Sequence, residues 1–381
     1  MNFSLNRTPL IMKIICPRES FLNSFLTANS VIKSNTAKAI LSNIKIEALP
    51  DSVVLMAGDS EIRIRVELTG VEVEEPGAAL FPPTQIRSAL TESKAESVCF
   101  ETEGVNLVVH IGGSRFVIPT EDPQDFPPID SFDSENYLSF PAADFTRAIR
   151  QTSFAADVNS GRAVFGGVLC SVEGERAHFV ATDTRRMTHA SIPVSVVGEI
   201  DTSSPVQAVI PKGTIQLAER TFSNSEGEIK VEFRLNRVTF SDGKSTLYAQ
   251  LIEGVYPAWQ GIFQKNISYQ VTVNSAELIS SVKQASIVVT DEYPGVLMEF
   301  AQNVLTLSGF SPLLGKSNIT MNIDFPHDLF KTKLGPAYIT EFLRVLDATD
   351  CTLNLIEGNN PVLFRPNDNL EYAIMPLSIS K

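Results

Sequence analysis

The feature that most constrains this chain is an internal repeat, in which a short strand, an amphipathic helix and a strand hairpin recur along its 381 residues. The first copy runs Lys13-Ile14-Ile15, a helix with Phe21, Leu22, Phe25 and Leu26 on one face, then Ile40 to Ile46 and Val53 to Ala57. The second runs Tyr137 to Phe140, a helix carrying Phe145, Ala148 and Ile149, then Val164 to Leu169 and Ala177 to Ala181. The third runs Gln270 to Val273, a helix carrying Leu278, Ile279 and Val282, then Gly295 to Phe300 and Val304 to Leu307. Apolar residues fall at i, i+3, i+4 in the helices and alternate in the strands, and the copies start about 125 to 130 residues apart.

A second half of the same order follows each copy. Its helices carry Ile86, Ala89 and Leu90, then Ile215 and Ala218, then Ile339, Phe342 and Leu346, and in the third copy the strand Ile319 to Ile323 is expected to lead into the helix. One β-α-β-β half-unit used six times predicts an α+β chain of three domains at 12–133, 134–264 and 265–381. Each helix has a single apolar face, so all six should lie on one face of antiparallel sheets and leave a polar face over.

Those polar faces change what the charge means. A net charge of −13 speaks against a polyanionic partner when taken over the whole chain. Yet the helical windows 18–33, 83–94, 142–153, 212–222, 275–286 and 331–347 hold 12 Lys and Arg against 7 Asp and Glu, while the remaining residues hold 19 against 37. Positive charge is gathered on the helices, and the expectation is a common helical surface that meets a polyanion.

Other classes find no support. No apolar run approaches the ~18–20 residues of a membrane helix. Lys13 interrupts the stretch from Pro9 to Cys16 and no small-residue cleavage site follows, so no signal peptide is expected. Cys16, Cys99, Cys170 and Cys351 are too far apart for CxxC chemistry or a small disulfide framework, which favours a reducing cytoplasm. His110, His178, His189 and His327 show no metal-ligand spacing. Gly243-Lys244-Ser245 and Gly315-Lys316-Ser317 look like the end of a phosphate loop, but Val238 and Phe310 stand where its first glycine belongs; Asp242-Gly243 reads as a hairpin turn. Neither catalysis nor a cofactor is expected.

Four strings, in order, carry a resemblance. Gly113-Ser114-Arg115-Phe116 followed by Asp125-Phe126-Pro127 comes first, then Ala181-Thr182-Asp183-Thr184-Arg185-Arg186-Met187. Leu251-Ile252-Glu253-Gly254-Val255-Tyr256-Pro257 and Tyr372-Ala373-Ile374-Met375-Pro376-Leu377 complete the set. Together they resemble the bacterial DNA polymerase III beta subunit family, the replicative sliding clamps. The resemblance covers residues 12 to 381; Met12-Lys13-Ile14 resembles the usual family start, so residues 1–11 read as an extension or a misassigned start.

The resemblance implies three clamp domains per protomer and a head-to-tail homodimer closing a six-domain ring, with helices on its inner wall. Such a ring encloses double-stranded DNA without reading its sequence and tethers the DNA polymerase III catalytic subunit, the clamp loader and other proteins with a clamp-binding motif. It implies a cytoplasmic, nucleoid-associated, non-catalytic protein, the alternative being a β-rich repeat scaffold paralogue without DNA function. Carried over by position, the partner-peptide pocket would use Phe165, Thr182, Thr184, Arg185, Arg186, Met187, Pro257, Ile262, Met375, Pro376 and Leu377, with Arg186 and backbone groups orienting the peptide. The family usually has Gly and His at positions 184 and 185 and Arg at 261, whereas this chain has Thr184, Arg185 and Gly261, and Ser378 to Lys381 replace a shorter tail. DNA contacts would come from Lys33, Arg87, Arg147, Arg150, Lys212, Arg220, Lys283 and Arg344, with Asn159 and Arg162 from a loop. Dimer closure would pair the edge around Gly113, Ser114, Arg115 and Phe116 with the region of Ile287 and Val288.

Overall fold

A computed structural model describes residues 12–32, 38–200 and 206–379. Residues 1–11 and the expected DNA contact Lys33 lie outside them. The repeat appears six times, with one strand more than expected. The first two halves are β1 (Lys13–Pro17), α1 (Arg18–Asn29), β2 (Ile44–Leu49), β3 (Ser52–Gly58) and β4 (Ile62–Leu68), then, after the short β5 (Glu72–Glu75), β6 (Gly77–Phe81), α2 (Pro83–Glu92), β7 (Ser97–Glu103), β8 (Asn106–Ile111) and β9 (Ser114–Pro119). The next is β10 (Tyr137–Pro141), α3 (Ala142–Thr152), β11 (Gly167–Glu173), β12 (Arg176–Thr182) and β13 (Arg186–Pro193), followed by the short β14 (Ser195–Val197). The fourth is β15 (Val206–Pro211), α4 (Lys212–Phe222), β16 (Glu228–Arg234), β17 (Arg237–Ser241) and β18 (Ser245–Gln250), after which comes the one-turn α5 (Gln260–Phe263). The last two are β19 (Tyr269–Asn274), α6 (Ser275–Ala285), β20 (Val296–Ala301), β21 (Val304–Ser311) and β22 (Gly315–Asn322), and β23 (Phe330–Leu334), α7 (Pro336–Arg344), β24 (Asp350–Leu355), β25 (Val362–Asn367) and β26 (Leu370–Ile374).

The half-unit is therefore β-α-β-β-β rather than β-α-β-β. The third strand leaves little trace in the sequence, because strands such as β13 and β22 are polar enough to read as loops. Strand β23, not Ile319 to Ile323, leads into α7, so Lys331 and Lys333 belong to a strand and the window 331–347 is only partly helical. Residues Ala39–Ser42 and Ala163–Gly166 are 3-10 turns, so β2 and β11 begin later than their apolar runs. On α1, Phe21 and Phe25 are buried, but Leu26 is exposed.

Residues up to Ala142, with Val196–Ile200 and Arg220–Gln250, form one compact unit; Ala143–Ser195, Asp201–Glu219 and the stretch from Leu251 onward form the other. These packing boundaries cut through the middle repeat. The first unit holds a five-stranded sheet, β5-β1-β7-β8-β9, and a nine-stranded one, β14-β10-β16-β17-β18-β4-β3-β2-β6. The second holds an eight-stranded sheet, β15-β11-β12-β13-β26-β25-β24-β19, and a four-stranded one, β22-β21-β20-β23.

In both large sheets two halves meet through their third strands. Ser245 to Ala249 of β18 pair with Val66 to Ile62 of β4, and Arg186 to Ala190 of β13 pair with Ile374 to Leu370 of β26. The remaining third strands, β9 and β22, end their sheets. The helices pack as their apolar faces require: Phe21 of α1 lies 4.4 Å, centroid to centroid, from Phe100 of β7, Phe145 of α3 lies 5.9 Å from Phe179 of β12, and Phe342 of α7 stacks on Tyr372 of β26 at 4.3 Å. Asp242-Gly243 is the expected hairpin turn, with Asp242 Oδ1 accepting from the backbone of Lys244 and Ser245, whereas Gly315-Lys316-Ser317 opens β22.

Candidate partner-peptide cleft and DNA-facing bases

Strand alternation in the eight-stranded sheet sends Phe179 and Tyr372 toward the helices and the neighbouring residues to the opposite face. On that face Phe165, Leu169, Val180, Met187, Leu363 and Ala373 form an apolar cluster with Tyr256, Trp259 and Phe263 from the segment that covers it; Ile252 and Ile262 pack at its margin. Phe165 and Tyr256 meet edge to face at 6.1 Å. Gly254 has φ +135°, and a Cβ there would come within 2.8 Å of Val164, so the covering segment needs glycine at its bend.

The cluster brings together Phe165, Met187 and Ile262 of the expected pocket, with Thr182 buried beside them. The single Trp259 is its largest covering side chain. Periodicity gives it no signal because it sits in an aperiodic stretch, although it follows the string at Leu251 to Pro257. Past β26 the ladder continues as Met375 N donates to Arg185 O at 2.8 Å, leaving the Met375 side chain 40% exposed. Leu377 N donates to Lys333 O at 2.7 Å, and a Cβ on Gly295 would lie 2.5 Å from Leu377 Cδ1, so Leu377 is seated against the start of β20. Pro257 and Pro376 are half-buried.

The turn between β12 and β13 is built by its own side chains. Thr182 Oγ1 donates to Arg186 O at 2.6 Å and accepts from Thr184 N at 3.0 Å, while Asp183 Oδ1 accepts from Arg185 N and Arg186 N, both at 2.9 Å. This geometry forces Thr184 to φ 75°, a left-handed conformation hard for a β-branched residue and natural for the glycine expected by resemblance. Thr184→Gly is therefore expected to raise stability by about 0.5–1 kcal/mol, the conformational gain being partly offset by the flexibility of glycine in the unfolded chain, and a higher urea midpoint checks this.

Arg186, the residue expected to orient the peptide, is tied into the turn and to α7. Its Nε donates to Asp183 Oδ2 at 2.9 Å, one terminal nitrogen to Glu341 Oε2 at 2.6 Å and the other to Phe154 O at 3.5 Å, and its guanidinium lies 4.6 Å from the ring centroid of Tyr338. With its side chain 10% exposed, Arg186 braces the turn against α7. Arg185 is exposed and is the cation the turn offers outward.

Of the expected DNA contacts, Arg87, Arg147, Arg150, Asn159, Arg162, Arg220, Lys283 and Arg344 are exposed. Arg147 pairs with Asp144, Arg150 donates to both oxygens of Asp347 at 2.8 and 3.1 Å, and Arg162 lies 5.0 Å from the ring centroid of Phe165. Lys212 differs: its ammonium turns inward to Ala156 O at 2.9 Å and Phe154 O at 3.4 Å, and burial first, then the charge of Arg186, lower its pKa. A long lysine stem can aim either way from the same helix position, which sequence spacing does not settle.

At the two sheet ends, Ser114 to Val117 of β9 are exposed, with Gly112-Gly113 forming the preceding turn. Ile287 is 73% exposed on a 3-10 turn after α6, and Val288 is buried beside it; Phe310 and Leu314 flank the β21–β22 turn, 48% and 52% exposed. Among the described residues, no group of three or more His, Cys, Asp and Glu could hold a metal ion. Cys16, Cys170 and Cys351 are buried thiols, each pushed up to about 12 by burial. No helix among them is long and apolar enough to cross a membrane.

Comparison with known proteins agrees from residue 12 to residue 378. Family models for the N-terminal, central and C-terminal domains of the DNA polymerase III beta subunit match residues 12–130, 139–258 and 260–378. The beta sliding clamp of Staphylococcus epidermidis is 23% identical over 380 residues, covering 96% of this chain and 99% of that protein, and that of Chlamydia pneumoniae is 23% identical over 371 residues, covering 97% and 99%. The sliding clamp of Pseudomonas aeruginosa in its griselimycin-bound crystal structure superposes with a TM-score of 0.87 at 20% identity, and that of Bacillus subtilis with 0.86 at 20%; each comparison covers 97% of this chain and 100% of the other. With all three domains matched in order, the chain belongs to the bacterial DNA polymerase III beta subunit family.

Proposed function

We propose that this chain is a replicative sliding clamp: two copies join head to tail into a ring that encircles duplex DNA and tethers the polymerase III catalytic subunit, the clamp loader and other clamp-binding proteins. It acts by enclosure and catalyses nothing. The carrying observation is the fate of the third strands. Inside the chain they join the first half to the fourth, β4 to β18, and the third to the sixth, β13 to β26, and leave those of the second and fifth halves, β9 and β22, open. An open strand edge is a template for another chain, so β9 of one copy meeting β22 of the next repeats the same joint and closes the assembly. Gly113 to Phe116 would lie in that seam, with Ile287 and Val288 beneath it. The three domains are assigned as 12–133, 134–264 and 265–381.

Duplex DNA carries about one charge per 1.7 Å, and exposed arginines and lysines on the helices attract it without reading bases. The carboxylates of Asp144 and Asp347 beside Arg147 and Arg150 temper that attraction. Weak, sequence-blind contacts allow sliding, which tight neutralisation would arrest. Such a protein works in the cytoplasm, associated with the nucleoid.

The decisive experiment loads the protein onto nicked circular DNA with its loader and then cuts the circle. A clamp runs off the ends after cutting; retention on the linear product, or failure to load, rejects the proposal and leaves the scaffold alternative. The apolar cluster roofed by Trp259 is the docking cleft for partner peptides, with Met375 and Leu377 at its rim. Met375→Ala together with Leu377→Ala is expected to weaken a polymerase-derived peptide by about 2 kcal/mol or more, roughly 30-fold, in a direct titration.

A further inference from the structure

Two histidines from neighbouring strands lie under the roof of this cleft, and neither belongs to the sites above. His189 of β13 stands opposite Glu371 of β26 and Val180 of β12, with His178 on β12. His178 Nδ1 and His189 Nε2 are 2.9 Å apart, and His189 Nδ1 is 3.0 Å from Glu371 Oε2. Arg365 Nε donates to Glu371 Oε1 at 2.8 Å, and its Nη2 donates to the carbonyl of Phe263, the last residue of α5, at 2.8 Å. The indole of Trp259 lies over both rings, 4.4 Å from His189 and 5.6 Å from His178 between centroids, and Phe263 is 5.8 Å from His189. The last turn of the covering segment, from Trp259 to Phe263, thus rests on a single hydrogen-bonded chain.

Proton counting shows what this chain tolerates. Burial works to raise the Glu371 pKa, but its hydrogen bond from His189 and the charge of Arg365 outweigh it and hold the carboxyl below its usual range. An ionised Glu371 keeps a proton on His189 Nδ1, so His189 Nε2 accepts from His178 Nδ1–H. One added proton on the far nitrogen of His178 preserves every bond. A further proton must enter between the facing nitrogens, where two N–H groups would oppose each other across 2.9 Å within two positive rings. Of the other charges that face His178, Glu173 of β11 draws a proton and Arg176 of β12 repels one, while Trp259 and α5 bring none. Burial, and next the charge of His189, hold His178 below the usual imidazole range.

We propose that His178 and His189 are a proton-gated latch: carrying at most one added proton, the pair holds Trp259 and α5 in place, and on taking a second it parts and releases the roof of the cleft. The latch stands on its own geometry; its consequence for partners rests on the peptide-cleft reading. The unfolded chain accepts both protons near pH ~6.5, so the stability the pair confers is present above that value and is lost as pH falls below it. Partner binding then weakens in mild acid.

The only tryptophan reports the latch, since an indole released into water shifts its emission to the red, whereas a charged imidazole beneath a seated indole only dims it. The emission maximum and the affinity of a synthetic peptide copying the clamp-binding segment of the cognate polymerase are measured on the full chain from about pH 7.5 to about pH 4.5. The second proton enters about a unit or more below the first, so the expected result is a red shift below pH ~5.5 with affinity falling in parallel, approaching tenfold per pH unit below the midpoint as one-proton linkage requires. His178→Gln leaves His189 able to charge, but its amide can turn its oxygen to His189 Nε2–H, so no two donors oppose each other and both changes should be lost. No red shift in the parent protein, or the same red shift in H178Q, overturns the latch. A red shift with pH-independent peptide affinity overturns its coupling to the cleft. A red shift in the parent protein alone, with no peptide bound at pH ~7.5 in either protein, upholds the latch and rejects the cleft instead. Should H178Q fail to fold, imidazole NMR of the parent protein decides: two midpoints about one unit or more apart are expected, and coincident ordinary midpoints refute the coupling.

Discussion

Trp259→Ala should lower the stability of the second unit by about 3–5 kcal/mol, the cost of emptying a large aromatic site in a packed cluster. Trp259 is 7% exposed and touches His178, His189 and Phe263, so removing it leaves both imidazoles and the apolar cluster without a roof. Its neighbours are fixed by strand pairing and cannot move together to fill the gap. Denaturant unfolding followed by circular dichroism measures the loss, and a change below about 1 kcal/mol would mean that the segment from Leu251 to Phe263 is held by something else. Trp259→Phe keeps much of the apolar contact and should cost distinctly less. The same pair of variants probes function, because the alanine protein should also bind partner peptide poorly at neutral pH.

A single proline in β9 should split the dimer. The Gly112-Gly113 turn, with φ 58° at Gly112, pairs Ile111 with Ser114, and Thr120 N donates to Val105 O at 3.0 Å. Even-numbered residues of β9 therefore bond to β8, while Arg115, Val117 and Pro119 turn their backbone groups outward. Val117→Pro deletes an outward donor and projects a ring toward any approaching strand, yet leaves the β8 ladder intact. It is expected to weaken self-association by about 2 kcal/mol or more, roughly 30-fold, so that a chain of 41.7 kDa sediments as a monomer where the parent protein sediments as a dimer. Unchanged dimerisation would place the seam elsewhere.

Sequence disclosed the repeat, the helix faces and most hairpins because each depends on local apolar periodicity, as at Phe145, Ala148 and Ile149. It disclosed the third strands poorly, for a physical reason. Strand β4 alternates cleanly from Ile62 to Leu68, but β9 is exposed at five of its six positions and β22 is polar along most of its length, so neither carries a buried-face signature. Site residues divide in the same way. Phe165, Met187 and Ile262 converge because strands and turns fix their direction. Arg186 and Lys212 are aimed otherwise than spacing suggests, because a long charged side chain takes its direction from partners such as Glu341 and the Ala156 carbonyl, which are remote in sequence. Trp259 escaped notice because one aromatic in an aperiodic segment has no pattern to reveal it.

The β4–β18 and β13–β26 joints differ from the proposed β9–β22 seam in one respect, which is covalent connection. Strands tethered within a chain meet at an effective concentration in the millimolar range, whereas strands on separate chains meet only at the concentration of the protein itself. Equal ladders would therefore give unequal joints, and a ring made from them has two predetermined gates. A loader need not melt any part of the fold to admit DNA. Linking two copies end to end would leave one untethered seam, and opening would be confined to it.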